Sequence, residues 1–293
     1  MKKDIIVPLT DTPLTLLSGI TFARVPYWFP FYDYRDLKMD ILLPFHPQAR
    51  EKRPLLVWIC GGAWMTMDRS AHLPWLINFA RRGYIVASVE YRLSNSSHFP
   101  GQLEDIKKAI RYLKAHAKEF GIDVDRVVAG GESAGAHLAA MAGVTNGKEE
   151  FDKGDYLEYS SAVQAVVDYY GPASFTLKAK GTPEINEAEK PAFLKGPSPV
   201  TMLLGYDPAI SPEKADAAAP LSYVSPTTPP FFIAHGTDDI IVPIDNSDLL
   251  CSALEKNNVH TEFWAIRGAG HADPRFYQKE MADRILNFLD GVF

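Results

Sequence analysis

The chain has 293 residues, 46% of them apolar and 23% charged, with 36 acidic against 30 basic side chains and a net charge of −6. A chain of this length buries roughly three quarters of the surface that its unfolded form exposes, so a core can close without disulfides or metal. The composition excludes long disorder, collagen-like repeats and coiled coil. The acidic balance speaks against nucleic acid or an anionic membrane as the main partner, because both reward clustered Lys and Arg.

Cys60 and Cys251 are the only cysteines. Two are too few for a disulfide framework and show no zinc-site spacing, so both are expected to be free, buried thiols. Met1 to Pro8 starts basic, but Asp4 and Pro8 interrupt it before any signal-peptide core develops. No run reaches the ~18 apolar residues of a membrane span. As written, the chain is expected to be cytoplasmic, or secreted if a leader has been removed.

Leu37, Met39, Ile41 and Leu43 alternate with less apolar positions and predict an antiparallel edge strand. Continuous apolar runs follow at Leu55–Cys60, Ile85–Val89, Val127–Ala129, Ala162–Val167, Phe231–Ala234 and Glu262–Ile266, most of them closed by glycine. Short runs of this kind predict parallel strands buried on both faces. Between them, Leu103, Ile106, Ile110, Leu113 and Phe120 recur at helical spacing. Leu249, Leu250, Ala253 and Leu254 do the same, and Ile285 to Leu289 closes the chain in a last helix. Strands alternating with helices predict an α/β fold with a mostly parallel sheet and helices on both faces.

Residues 171–230 break the rhythm. They hold 11 of the 22 prolines without a clear period, yet they contain Phe175, Phe193, Leu194, Met202, Leu203, Leu204, Tyr206 and Tyr223. That is too apolar for a solvated linker, so the expectation is a single domain, 1–293, with 171–230 as a cap-like insertion.

The chemistry centres on Gly131-Glu132-Ser133-Ala134-Gly135. A strand precedes it and a helix of small residues follows, the strand–sharp turn–helix setting of a nucleophile elbow. Side chains at Gly131 or Gly135 would collide with neighbouring elements, and the helix N-terminus favours a developing oxyanion. A serine hydroxyl needs a base. His271, in Gly268-Ala269-Gly270-His271 between the last strand and last helix, can reach the carboxyl end of the sheet. His46, His72, His98, His116, His137, His235 and His260 are expected to be surface or packing imidazoles. The base needs a carboxylate to set its tautomer. Asp238 and Asp239 both follow the Phe231–Ala234 strand, with Asp168 a third candidate, and chemistry alone leaves the choice open. Gly62 and Ala63, after the first long strand, join Ala134 as candidate oxyanion donors through their backbone N–H groups. Glu132 is open to two readings, a solvated or locally paired carboxylate or a catalytic role. Trp64, Met65 and Met67, with aromatic residues of the insertion, are candidates for an apolar substrate pocket.

Taken together, these stretches resemble an α/β-hydrolase, and more narrowly the bifunctional feruloyl and acetyl-xylan esterase group, related to hormone-sensitive-lipase-type esterases. Leu37–Pro44, Cys60–Trp64, Val89–Ser94, Phe99–Lys114, Gly131–Ala140, Tyr169–Pro172, Ala218–Val224, His235–Pro243 and Gly268–His271 carry the resemblance. It implies that the triad acid is Asp239, the fifth residue of HGTDD. It also implies a serine carboxylesterase with no metal or cofactor, acting on feruloyl or acetyl esters of plant polysaccharide or oligosaccharide. The group usually has His where Cys60 stands, which supports the oxyanion loop without taking part in the chemistry. An amidase, formamidase or peptidase on the same fold is the alternative, followed by a non-catalytic binding protein. The absence of a long apolar lid helix argues against lipase action at an oil interface.

Overall fold

A computed structural model describes residues 2–8, 13–27, 33–44, 52–176 and 198–293. Eight strands form one sheet: β1 (Leu14–Pro26), β2 (Tyr34–Pro44), β3 (Arg53–Ile59), β4 (Ile85–Val89), β5 (Ile122–Glu132), β6 (Ala165–Tyr169), β7 (Phe231–Gly236) and β8 (Thr261–Ile266), in the order β1-β2-β4-β3-β5-β6-β7-β8. From β4 to β8 every pairing is parallel, while β2 runs antiparallel to both β1 and β4. The expected edge strand at 37–43 is therefore not an edge. β1 covers it through an irregular register with shifts at Leu17/Ile20 and Thr21/Ala23. Bulges of this kind disturb the alternation that reveals a strand in sequence. Buried Asp40 fastens the irregularity by accepting Ser18 Oγ–H and Gly19 N–H, each at 2.7 Å.

The central strands alternate between two apolar layers. Leu55, Val57 and Ile59 face one layer with Leu103, Ile106 and Ile110, whereas Leu56 and Trp58 face the other with Leu76, Phe79 and Ile285. Helices fill both layers: α1 (Leu73–Arg81), α2 (Gly101–Ala115), α3 (Ala117–Phe120), α4 (Ala134–Val144), α5 (Pro199–Leu204), α6 (Pro212–Asp216), α7 (Asp245–Lys256) and α8 (Lys279–Val292). Every residue of α4 is buried, as its unbroken run of small and apolar residues requires. The Leu103–Phe120 periodicity divides at His116 into α2 and α3. The strand expected at 162–167 lies at 165–169. Lys114 Nζ takes the Ala162 carbonyl and the Asn146 side chain takes both backbone groups of Val163, which draws 162–163 out of the ladder.

Two registers position the site. Ile59 pairs with Gly131, so the loop after β3 lies beside the turn after β5. Gly236 pairs with Ile266, so the loops after β7 and β8 lie side by side. Of the 171–230 insertion, the described part holds α5, α6 and a 3₁₀ turn at Pro220–Tyr223. Leu203 and Leu204 are buried there, and Phe99 N–H donates to the Leu203 carbonyl at 2.8 Å. Residues 177–197, with Phe193 and Leu194, lie outside the described residues, as does His46.

Candidate active site

Ser133 sits at the end of β5 with φ +53° and ψ −121°, a sparsely populated shape for a residue with a side chain. Close approach dictates its neighbours. A Cβ at Gly135 would lie 2.0 Å from the Ile59 carbonyl oxygen, and one at Gly131 would lie 2.5 Å from the Gly135 backbone. Both glycines let the turn fold against β3, as the sequence argument required. The turn places Ser133 Oγ 2.9 Å from His271 Nε2, and His271 Nδ1 lies 2.7 Å from Asp239 Oδ2.

The carboxylate partner determines the tautomer. Nδ1 donates to Asp239, which leaves Nε2 to accept the Ser133 hydroxyl proton. Asp239 is buried, which by itself raises its pKa. Hydrogen bonds from His235 and His271, the charge of His271 and the Val242 N–H together outweigh burial and hold it down at about 2. Its other oxygen accepts Ile241 N–H and Val242 N–H, both at 2.9 Å. Asp238 is exposed and bonded to Thr237 Oγ1 instead. Asp168 lies apart from this chain of bonds: Oδ1 accepts Gly171 N–H at 2.9 Å, and burial pushes its carboxyl up to about 6.

The backbone N–H groups of Gly62, Ala63 and Ala134 have no hydrogen-bond partner among the described residues. They border a cavity of about 690 Å³ that also exposes Ser133 and His271. Trp64, Met65, Phe175, Val200, Ile241 and Val242 give its walls an apolar character. Met67, expected beside Trp64 and Met65, packs between the two apolar layers instead. Among the described residues no group of three or more His, Cys, Asp or Glu is arranged to hold a metal, and no helix is long and apolar enough to cross a membrane.

A family model described as BD-FAE matches residues 39–254. The chain belongs to the BD-FAE family. This agrees with the resemblance read from its motifs. Esterase LipQ of Mycobacterium tuberculosis is 30% identical over 83% of this chain and 56% of the relative. The probable carboxylic ester hydrolase LipM of the same organism is 33% identical over 66% of this chain and 43% of its own. The chain spans about half the length of the curated relatives it matches. Among solved structures, a truncated carbohydrate esterase from gut microbiota superposes with a TM-score of 0.80 at 26% identity, covering 97% of this chain and 98% of that one. Propionate-bound esterase Est2 of Thermogutta terrifontis, at 24% identity and a TM-score of 0.71 over 96% and 95% of the two chains, shares the α/β-hydrolase fold.

In this BD-FAE chain, Cys60 stays a free thiol whose burial raises it to about 12, and Tyr91 hydroxyl holds the Cys60 carbonyl at 3.0 Å. Cys251 is likewise free and buried. The sequence reading missed two contacts at the site. His235 is fully buried. Its Nε2 lies 2.8 Å from the Val242 carbonyl and 3.3 Å from Asp239 Oδ2, and its Nδ1 lies 2.7 Å from Ser247 Oγ. Its place at the end of an apolar strand, four residues before Asp239, was the available signal. Glu132 is buried and paired rather than solvated: Oε1 accepts Gly61 N–H and lies 3.4 Å from His72 Nε2. Among the other described histidines, His137 packs between Trp64 and Phe175, His116 on Tyr112 and His260 against Phe288, as expected of packing imidazoles.

Proposed function

We propose that this chain is a serine carboxylesterase acting through an acyl-enzyme. The observation that carries the reading is the unbroken bond chain Ser133 Oγ–His271 Nε2 and His271 Nδ1–Asp239 Oδ2, opening into a cavity beside three free N–H groups. Ser133 attacks the ester carbonyl while His271 Nε2 takes its proton. The carbonyl oxygen becomes an anion held by the N–H groups of Gly62, Ala63 and Ala134. His271 returns the proton to the departing alcohol, and water then repeats the sequence on the acyl-enzyme. Asp239, ionised at every pH above about 2, keeps Nδ1–H in place and stabilises the imidazolium.

The substrates in this reading are small carboxylic esters, with feruloyl or acetyl esters of plant polysaccharide or oligosaccharide the preferred class. The BD-FAE match supports that class, as does the likeness to a carbohydrate esterase and to a bifunctional GH43-CE protein of Bacteroides eggerthii at 26% identity. Trp64 and Phe175, with ring centroids 5.8 Å apart, form the wall against which the substrate packs, and the described residues of the insertion that line the cavity, Phe175, Ser198 and Val200 among them, act as its cap. The test is hydrolysis of p-nitrophenyl acetate, butyrate and octanoate and of methyl ferulate by wild type and Ser133→Ala. Wild type is expected to cleave the short esters or the ferulate, and the variant to lose on the order of 10⁶-fold in kcat. A Ser133→Ala protein of near-wild-type rate refutes the assignment.

A further inference from the structure

The loop that carries the N–H groups of Gly62 and Ala63 has an unfavourable backbone shape. Gly62 has φ +118°, Ala63 +55° and Trp64 +57°. Side-chain-bearing residues hold such angles only where surrounding contacts over-determine them. Four contacts do so here. Tyr91 hydroxyl donates to the Cys60 carbonyl at 3.0 Å, Ser94 N–H donates to the Trp64 carbonyl at 2.8 Å, and Trp64 Nε1–H donates to His137 Nδ1 at 3.2 Å. The fourth is Gly61 N–H donating to Glu132 Oε1.

The fourth contact differs from the others in two ways. Its acceptor is a carboxylate, and that carboxylate belongs to the residue next to Ser133. Gly61 is covalently adjacent to Gly62, and Glu132 is two residues from Ala134. One hydrogen bond therefore ties together the two chain segments that supply the three N–H groups. The fit is close: a Cβ at Gly61 would lie 2.5 Å from Glu132 Oε2. His72 braces the carboxylate from the side, with Nε2 3.4 Å from Oε1. His72 in turn stacks on Tyr277 at 4.6 Å and 12°, and Tyr277 hydroxyl meets Tyr170 hydroxyl at 2.6 Å. As an electrostatic neighbour, a carboxylate opposes charge developing on a nearby oxyanion, so its benefit here is geometric.

We propose that Glu132 is a positioning residue of the oxyanion hole. Its carboxylate, braced by His72, locks the Gly61–Ala63 loop to the turn around Ser133, so that the N–H groups of Gly62, Ala63 and Ala134 converge on one oxygen. The inference rests on the ester-hydrolase reading of this site.

The experiment compares wild type, Ser133→Ala, Glu132→Ala, Glu132→Gln and Glu132→Asp. It reads kcat and KM on p-nitrophenyl acetate, the Ki of an alkyl trifluoromethyl ketone, and thermal melting. The ketone adds Ser133 Oγ to its carbonyl carbon, the hydroxyl proton passes to His271, and the carbonyl electron pair remains on oxygen as the anion the three N–H groups would hold. Removing one oxyanion donor lowers kcat by about 10²–10³-fold. Misplacing two without removing them is expected to lower kcat by about 10–100-fold in Glu132→Ala, with KM within about threefold. The Ki of the ketone is expected to rise by the factor that kcat/KM falls. Glu132→Gln keeps an acceptor for Gly61 N–H and is expected to stay within about fivefold of wild type. Glu132→Asp keeps the charge but withdraws it by one methylene and is expected to fall with alanine. It supplies the same comparison if the alanine protein does not fold. Wild-type kcat in both Glu132→Ala and Glu132→Asp overturns the inference, as does Glu132→Gln falling as far as alanine, or an unchanged Ki beside a reduced kcat. Those results, beside an active wild type and an inactive Ser133→Ala, leave the ester-hydrolase reading standing. A Ser133→Ala protein that keeps its rate overturns both.

Discussion

His137 makes this protein sensitive to acid in a way that can be isolated. It lies one turn into α4 and is fully buried, with Nε2 2.8 Å from the Ala218 carbonyl and Nδ1 accepting the indole N–H of Trp64 at 3.2 Å. A carbonyl only accepts and an indole N–H only donates, so Nε2 carries the hydrogen and Nδ1 must stay bare. Burial lowers its pKa from 6.5 to about 4, with the bond to Ala218 offsetting part of the effect. As pH falls below 6.5 the unfolded chain binds a proton that the folded protein refuses until about pH 4, so stability declines across that window. The loss amounts to about 2 kcal/mol between pH 7 and 5 and about 3 kcal/mol by pH 4. In His137→Gln the amide oxygen accepts from Trp64 and the amide N–H donates to Ala218, while the titration disappears. Urea unfolding of both proteins at pH 7, 6 and 5 is the assay, because groups common to both cancel. The stability difference is expected to shift by about 2 kcal/mol in favour of His137→Gln on going from pH 7 to 5. Parallel stability curves refute the reasoning.

Asp168 gives the opposite sign. Burial raises its carboxyl to about 6, so the folded protein carries an unfavourable charge above that pH and sheds the penalty as pH falls toward 4. Asp168→Asn, which keeps an acceptor for Gly171 N–H, is expected to gain up to about 3 kcal/mol at pH 8 and nothing near pH 3.5, measured by chemical unfolding. Gly135→Ala drives a Cβ to 2.0 Å from the Ile59 carbonyl oxygen, with backbone on both sides of the clash. It is expected to lose about 3 kcal/mol or more, or to fail to accumulate as soluble protein. A melting temperature within a degree or two of wild type would show that β3 and α4 yield more readily than their packing implies.

Much of the fold was legible because buried parallel strands are written as continuous apolar runs. Ile85–Val89 is a strand at those residues, and Phe231, Thr261 and Arg53 begin strands within two residues of the expected starts. β1 was not legible. Its bulged register and half-exposed surface leave Leu14 to Pro26 without a clean period, and that strand turned the expected edge into an interior one. The helix α1 went unread for a similar reason: Leu73 to Arg81 carries four buried residues on a short segment with no capping side chain.

Local sequence determined the turn around Ser133, because its glycines answer a clash that any strand–turn–helix of this kind creates. It also narrowed the histidines to His271 by place in the chain order. It did not separate Asp239 from its neighbour Asp238, since adjacent carboxylates on a loop differ only in where the backbone aims them. The resemblance pointed to Asp239, and the tertiary arrangement brings it within 2.7 Å of His271 while Asp238 turns to Thr237. The second histidine on Asp239 and the tie between Glu132 and Gly61 belonged wholly to the tertiary structure. Residues 71 positions apart become hydrogen-bonded only because the register of β3 against β5 sets their strand ends side by side. A register is a property of two paired strands, and neither strand states it alone.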